Sequence, residues 1–192
     1  NAKRTQREEL DQAKREKQKT GTEDSLSEIG SRRIFMGWFE NKISAHRRHP
    51  RHLSLAIADI DFFKAYNGRY GHPEEDTALR TIAQALTGRL RQKDKIARFG
   101  GEEFIFLFPD TDEAQCHQVC ESLRQHIEQI TSLRRPVTNS IGGVTVFPQV
   151  ERMLDFDMLF KIADAELYEA KHTGRNQVRV KITQNDDRPD NE

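Results

Sequence analysis

The sequence predicts one domain in which helices and strands alternate around a single central sheet. Apolar residues recur at helical spacing in some segments and as strand-like runs in others, and the two kinds of segment take turns along the chain. In the middle of the pattern, Gly100-Gly101 parts two apolar runs. That pair is a two-residue hairpin signal, because glycine reaches the positive φ of such a turn without steric cost. The hairpin is therefore placed at the middle of the sheet. No internal repeat is visible.

Bulk properties narrow the field. A chain of 192 residues suits one domain of about 150 residues with appendages, enough to bury a sizeable core. Its 31 basic and 31 acidic residues cancel, so no whole-protein field draws it to nucleic acid or membrane, and any polyanion must be met by local cations. Hydrophobic content is 35% and mean hydropathy −0.83, with the charge concentrated at both ends. Cys116 and Cys120 stand at i,i+4 spacing in an apolar pattern, which predicts buried reduced thiols and a cytoplasmic setting. No run approaches the roughly 18 apolar residues of a membrane helix, and there is no signal peptide. A start at Asn1 rather than Met is what a piece of a longer protein would show, with any membrane contact made through an upstream segment.

Residues 1–23 are charged and nearly free of large apolar side chains, and read as a helical connector. Asp24-Ser25-Leu26-Ser27 offers helix-start residues, after which Ile34, Phe35, Trp38, Phe39 and Ile43 mark a helix ending near His46 to Pro50. Leu53 to Ile60 reads as a buried strand, and Asp59 falls where the row of Leu53, Leu55 and Ile57 was due another core residue. Phe62 to Asn67 is then expected to turn through Gly68 and Gly71 into a helix starting near Pro73, striped by Leu79, Ile82, Ala83, Leu86 and Leu90. Arg91 to Asp94 closes that helix before a strand over Lys95 to Phe99 and, past the glycines, another over Phe104 to Phe108.

Pro109 to Asp112 starts the next helix, whose inward residues are Cys116, Val119, Cys120, Leu123, Ile127 and Ile130. Pro136 to Phe147 is a strand, and its Gly142-Gly143 signals a bulge or a close backbone contact. Phe156 to Lys171 is a helix stopped at His172-Thr173-Gly174. Val178, Val180 and Ile182 alternate with Arg179 and Lys181 as a last strand with one wet face, and 183–192 is expected to be a disordered tail.

The chemistry starts from three acids. Asp59 ends one strand, and Glu102 and Glu103 follow the glycines between two others, so the three can converge. On their own, two acids at a strand start are equally consistent with solvated punctuation. Together, two charges about 4 Å apart repel by roughly 1 kcal/mol in water and roughly 4 kcal/mol at an effective dielectric of 20, so the trio wants protons or a cation. Oxygen ligands of this kind suit Mg²⁺ completed by substrate phosphates. Lys64, Lys171 and Arg175 supply cations for phosphate oxygens, and the combination points to phosphoryl or nucleotidyl transfer.

Asp59 to Asn67, Gly71-His72, Asp76, Arg91 to Asp94, Arg98 to Phe104, Ser140-Ile141-Gly142 and Ala170 to Asn176, in that order, resemble the GGDEF family of diguanylate cyclases from about Asp24 to about Ile182. The resemblance implies an α+β fold like a nucleotidyl-cyclase or polymerase palm, a central mostly antiparallel sheet flanked by helices. It makes 24–182 the GGDEF domain and implies condensation of two GTP into cyclic di-GMP with release of pyrophosphate, each subunit of a homodimer holding one GTP. It implies Mg²⁺, or Mn²⁺ in its place, bound by Asp59, Glu103 and the Ile60 carbonyl. Glu102 would be a further ligand or the acceptor of the 3′-hydroxyl proton. Lys64, Lys171 and Arg175 match triphosphate contacts, Gly100 and Gly101 would let phosphate approach the backbone, and Asn67 and Asp76 match guanine readers.

Arg91 and Asp94 match the family's RxxD site, where the product cyclic di-GMP binds and inhibits; the plain alternative is an ion pair at a helix end. Gly68 stands where the family commonly has Asp, Glu75 where it has Gly, and Asp24 to Arg33 departs from the usual opening motif. Two other readings follow from the same residues. One is a catalytically idle domain acting as a cyclic di-GMP receptor, and the other is a structural dimerisation module.

Overall fold

The strand Leu53–Ile60 (β1) is buried at every residue, which requires cover on both faces and a partner on each edge. The computed structural model, which describes residues 29–148 and 155–183, supplies both. The expected connector, the helix-start residues Asp24 to Ser27 and the expected tail beyond Thr183 lie outside the described residues. In chain order the elements are α1 (Arg32–Arg48), β1, α2 (Phe63–Tyr70), α3 (His72–Thr87), β2 (Lys95–Arg98), β3 (Glu103–Pro109), α4 (Glu113–Glu128), β4 (Asn139–Val146), α5 (Phe156–His172) and β5 (Val178–Ile182).

The strands lie in the order β2-β3-β1-β4-β5. All pairs are antiparallel except β4 with β5, which gives the mostly antiparallel α+β sheet that the resemblance implied. The hairpin, however, is not at the middle. β2 is an outer strand of only four residues, and the centre belongs to β1, whose side chains are buried on both faces and apolar but for Ser54 and Asp59. One face packs Ala56, Ala58 and Ile60 with α2, α3 and α4; the other packs Leu53, Leu55 and Ile57 with α1 and α5. Among the described residues no helix is long and apolar enough to cross a membrane.

Several local expectations need correction. Phe63 to Tyr70 is helical rather than a turn, because Phe63 and Tyr66 bury against the sheet and the chain reverses only at Gly71, where φ is +83°. The connection between β2 and β3 spans Phe99 to Glu102, and neither Gly100 nor Gly101 has a positive φ. It is therefore not the tight two-residue turn, and Phe99 N–H donates to the Glu103 carbonyl at 2.9 Å to close a wider loop. β4 starts at Asn139, three residues later than expected, and its register with β1 runs unbroken through Gly142 and Gly143. The glycines thus mark close contact and not a bulge. A Cβ at Gly142 would lie 2.2 Å from the Leu167 backbone N and 2.3 Å from the Ala163 carbonyl oxygen of α5. Cys116 and Cys120 are buried free thiols.

Candidate active site

Antiparallel pairing places Asp59, near the end of β1, opposite Glu103 at the start of β3, and Ile60 N–H donates to the Glu102 carbonyl at 3.3 Å. Asp59 continues the row of Leu53, Leu55 and Ile57 on the face covered by α5, so its carboxylate meets the C-terminal end of that helix. There Lys171 Nζ donates to Asp59 Oδ2 at 2.7 Å. Gly100 has a local reason for its missing side chain, since a Cβ there would come 2.8 Å from Glu103 Oε2. The loop is held by Arg98, whose Nε donates to the Gly100 carbonyl at 3.2 Å and whose Nη2 donates to the Gly101 carbonyl at 2.8 Å.

These acids are electrostatically crowded. Burial raises the Asp59 carboxyl above its ordinary value, with the Lys171 ammonium pulling the other way. Burial also raises Glu102 and Glu103, and the Asp59 charge adds to both. Carboxylate oxygens are the hard donors that a divalent cation takes. Among the described residues, no three His, Cys, Asp or Glu side chains are gathered as a metal-binding group. The oxygen donors of Asp59, Glu102 and Glu103 are of the kind Mg²⁺ takes, but here Lys171 supplies the cation that faces Asp59, so the lysine expected on the triphosphate lies on a carboxylate.

A cleft of about 190 Å³ brings Asp59, Ile60 and Glu102 together with Lys64, Lys171 and Arg175. Asp61, Phe62 and Phe63 complete its wall. Arg175 has a left-handed backbone, φ +59°, and its guanidinium carbon stands 4.4 Å from the centroid of the Phe62 ring. Asn67 and Asp76 sit on α2 and α3, outside this wall, as do Gly100, Gly101 and Glu103. Glu75 turns its carboxylate to His72 Nδ1 at 3.0 Å in the first turn of α3. Asp61 was not singled out in the sequence. Its carboxylate accepts from Thr138 Oγ1 and Ser140 Oγ, and all that the sequence showed of it was a second acid just past a strand end.

Arg91 and Asp94 lie before the start of β2, at the other end of the sheet from Asp59. They are bonded to each other: Arg91 Nη2 donates to Asp94 Oδ1 at 2.9 Å and Arg91 Nε to Asp94 Oδ2 at 3.1 Å. Arg91 Nη2 also donates to Thr111 Oγ1 at 2.7 Å. The Asp94 carboxylate is fully enclosed and also accepts the Arg91 backbone N–H at 2.8 Å.

Against this geometry the comparisons with known proteins are consistent. The family model described as "Diguanylate cyclase, GGDEF domain" matches residues 22–177. Diguanylate cyclase VdcA of Vibrio cholerae is 38% identical over 164 residues, covering 84% of this chain and 47% of the relative. Diguanylate cyclase DgcP of Pseudomonas aeruginosa is 37% identical over 160 residues, covering 82% of this chain and 23% of the relative. The chain thus spans less than half the length of these curated relatives. Among solved structures, the GGDEF domain of DgcB from Caulobacter crescentus in complex with c-di-GMP superposes with a TM-score of 0.76 at 26% identity, covering 83% of this chain and 92% of that one. The active GGEEF domain of a diguanylate cyclase from Vibrio cholerae gives a TM-score of 0.72 at 25% identity, covering 78% and 96%.

Proposed function

The chain belongs to the GGDEF-domain family of diguanylate cyclases, and from that premise we propose that it condenses two GTP into cyclic di-GMP with release of two pyrophosphates. The observation that carries this reading is the convergence in one cleft of Asp59 and Glu102 with Lys64, Lys171 and Arg175. Carboxylates beside three cations fit a substrate that is itself a polyanion approached with a divalent metal. Asp59, Glu103 and the Ile60 carbonyl would hold Mg²⁺, or Mn²⁺, which when bound neutralises charge on the phosphates and on the leaving pyrophosphate.

In this reading the chain's own residues do the following. Lys64 and Arg175 grip phosphate oxygens, and Lys171 exchanges its bond to Asp59 for a phosphate once the acids are otherwise neutralised. The 3′-hydroxyl of one nucleotide attacks the α-phosphorus of the other. An O–P bond forms, the bond from that phosphorus to the bridging oxygen breaks, and pyrophosphate departs. Glu102 accepts the hydroxyl proton, because it is the glutamate that lines the cleft. Asn67 and Asp76, on neighbouring helices, read the guanine. The resemblance to the family gives each subunit one GTP. The second GTP comes on a second copy of the chain, and a homodimer is the working unit. Buried reduced thiols fit a cytoplasmic setting.

Product inhibition belongs to Arg91 and Asp94, whose mutual bonds must open to admit cyclic di-GMP. An idle receptor would need only that site, and the gathering of Asp59 and Glu102 with Lys64, Lys171 and Arg175 in the cleft favours the enzyme. The deciding assay is purified protein with GTP and Mg²⁺. Cyclic di-GMP and pyrophosphate are expected, with Glu103→Ala reducing turnover to background. Absence of product from a sample shown to contain dimers would overturn the proposal.

A further inference from the structure

Asp61 is a carboxylate in the cleft wall that spends both oxygens on the protein. It is buried, 4% exposed, and follows directly on β1. Its Oδ1 accepts from Ser140 Oγ at 2.8 Å; its Oδ2 accepts from Thr138 Oγ1 at 2.7 Å and from the Asn176 backbone N–H at 3.1 Å. The donors come from two separate pieces of chain, the start of β4 and the loop between α5 and β5. All three are neutral. A buried carboxylate held this way is strongly anchored, since each donor would otherwise be left without its charged acceptor.

The loop it grips is in a disfavoured conformation. Arg175 and Asn176 are consecutive non-glycine residues with φ of +59° and +48°. Such a pair persists only where the surroundings over-determine it. Asn176 is fixed from two other sides as well: its Oδ1 accepts from Arg124 Nη1 at 2.7 Å, and its Nδ2 donates to Glu128 Oε1 at 3.2 Å, both on α4. Arg175 N–H donates to the Ala170 carbonyl at 2.9 Å. The outcome of these restraints is the position of the Arg175 guanidinium, over Phe62 and at the cleft beside Lys64 and Lys171.

We propose that Asp61 is a positioning residue: through the Asn176 N–H it locks the loop after α5 to the end of β1 and so aims Arg175 at the phosphates of the bound nucleotide. Asp61 itself touches neither metal nor substrate. The role rests on reading the cleft as the nucleotide site, but the anchoring does not.

The test therefore has two arms. In the full chain, amide hydrogen exchange at Asn176 is compared for wild type, Asp61→Ala and Asp61→Asn. Asn keeps a carbonyl where the Asn176 N–H needs an acceptor, so protection is lost in Asp61→Ala and largely restored in Asp61→Asn. Unchanged protection in Asp61→Ala overturns the anchoring. In the second arm, calorimetry with a non-hydrolysable GTP analogue and Mg²⁺ is run on Asp61→Ala, Arg175→Ala and the double variant. Each single change is expected to weaken binding by about tenfold or more, the scale of one charge-assisted phosphate contact, and the double variant by little beyond that. Losses that multiply in the double variant would show that Asp61 acts on something other than Arg175, and would overturn the aiming role. A wild-type chain that binds no analogue overturns the cleft reading instead, and the exchange arm then judges Asp61 alone.

Discussion

At the residue scale, the site is held in a state of electrostatic conflict. Glu103 has its carboxyl raised by burial and then by the charge of Asp59, with Asp164 of α5 adding a smaller push. A carboxyl raised on folding binds its proton more readily in the native state than in the unfolded one. Its contribution to stability is therefore full at acid pH and is lost as pH climbs from the ordinary value of about 4 through the raised one. Asp59 and Glu102 are raised in the same direction, so the window is shared. Above it, the crowded charges work against the fold. Glu103→Gln keeps the shape and removes one charge, so at pH 7 and without divalent ions its melting temperature should exceed that of wild type, with the gain shrinking to nothing near pH 4. Mg²⁺ should then raise the melting temperature of wild type more than that of the variant. A variant that melts lower than wild type at neutral pH would refute this account of the cluster.

At the scale of elements, the contact that fixes the site is β4 against α5. Leu167 N and the Ala163 carbonyl lie where a side chain at residue 142 would begin, so the helix is seated directly on glycine backbone. A methyl there has only backbone to push against, and α5 must lift, taking Lys171 with it and dragging Arg175 behind. Gly142→Ala should cost more than the about 1–3 kcal/mol typical of overpacking, and should weaken nucleotide binding as well. Gly143→Ala is the control: its nearest neighbours are the Val180 Cγ2 at 3.3 Å and Cys116 Sγ at 3.4 Å, side-chain atoms that can give. Equal melting temperatures for the two variants would remove the argument. The same contrast explains what the sequence made legible. Long amphipathic stripes and the buried run of β1 are local patterns, and a carboxylate interrupting an apolar row marked Asp59. α2 was missed because it is eight residues long, with Asn67 and Gly68 in its middle and only Phe63 and Tyr66 buried. Strand order is not local at all, so the hairpin's place at the side of the sheet could not be read from its turn. Nor could the Lys171 to Asp59 bond, which joins residues 112 apart, or the role of Asp61, whose donors come from β4 and beyond.

At the scale of the whole molecule, the two ends of the sheet carry different chemistry. Asp59 sits at one end of β1; Arg91 and Asp94 precede β2, whose first residue, Lys95, pairs with Leu107 near the other end. Arg91 Nη2 donates to the carbonyl of Pro109, which pairs with Leu53, six residues along β1 from Asp59 and so about 20 Å away. If the proposed function holds, inhibition from there acts on how two copies meet, which in that reading is also where the chemistry happens. In the proposed homodimer an isologous pair would bring two clefts face to face, each presenting its own GTP to the other. The rate should then follow the concentration of pairs and not of chains. Below the dissociation constant of the pair, the dimer concentration rises as the square of the chain concentration, so activity per chain should fall in direct proportion to dilution. Arg91→Ala should leave that dilution curve in place while removing its response to added cyclic di-GMP. The measurement is initial pyrophosphate release across a dilution series, with the mass of the species followed by light scattering at the same concentrations. Specific activity that stays level down to concentrations at which only single chains are present would mean that one chain completes the site, and the two-copy reading would have to be given up.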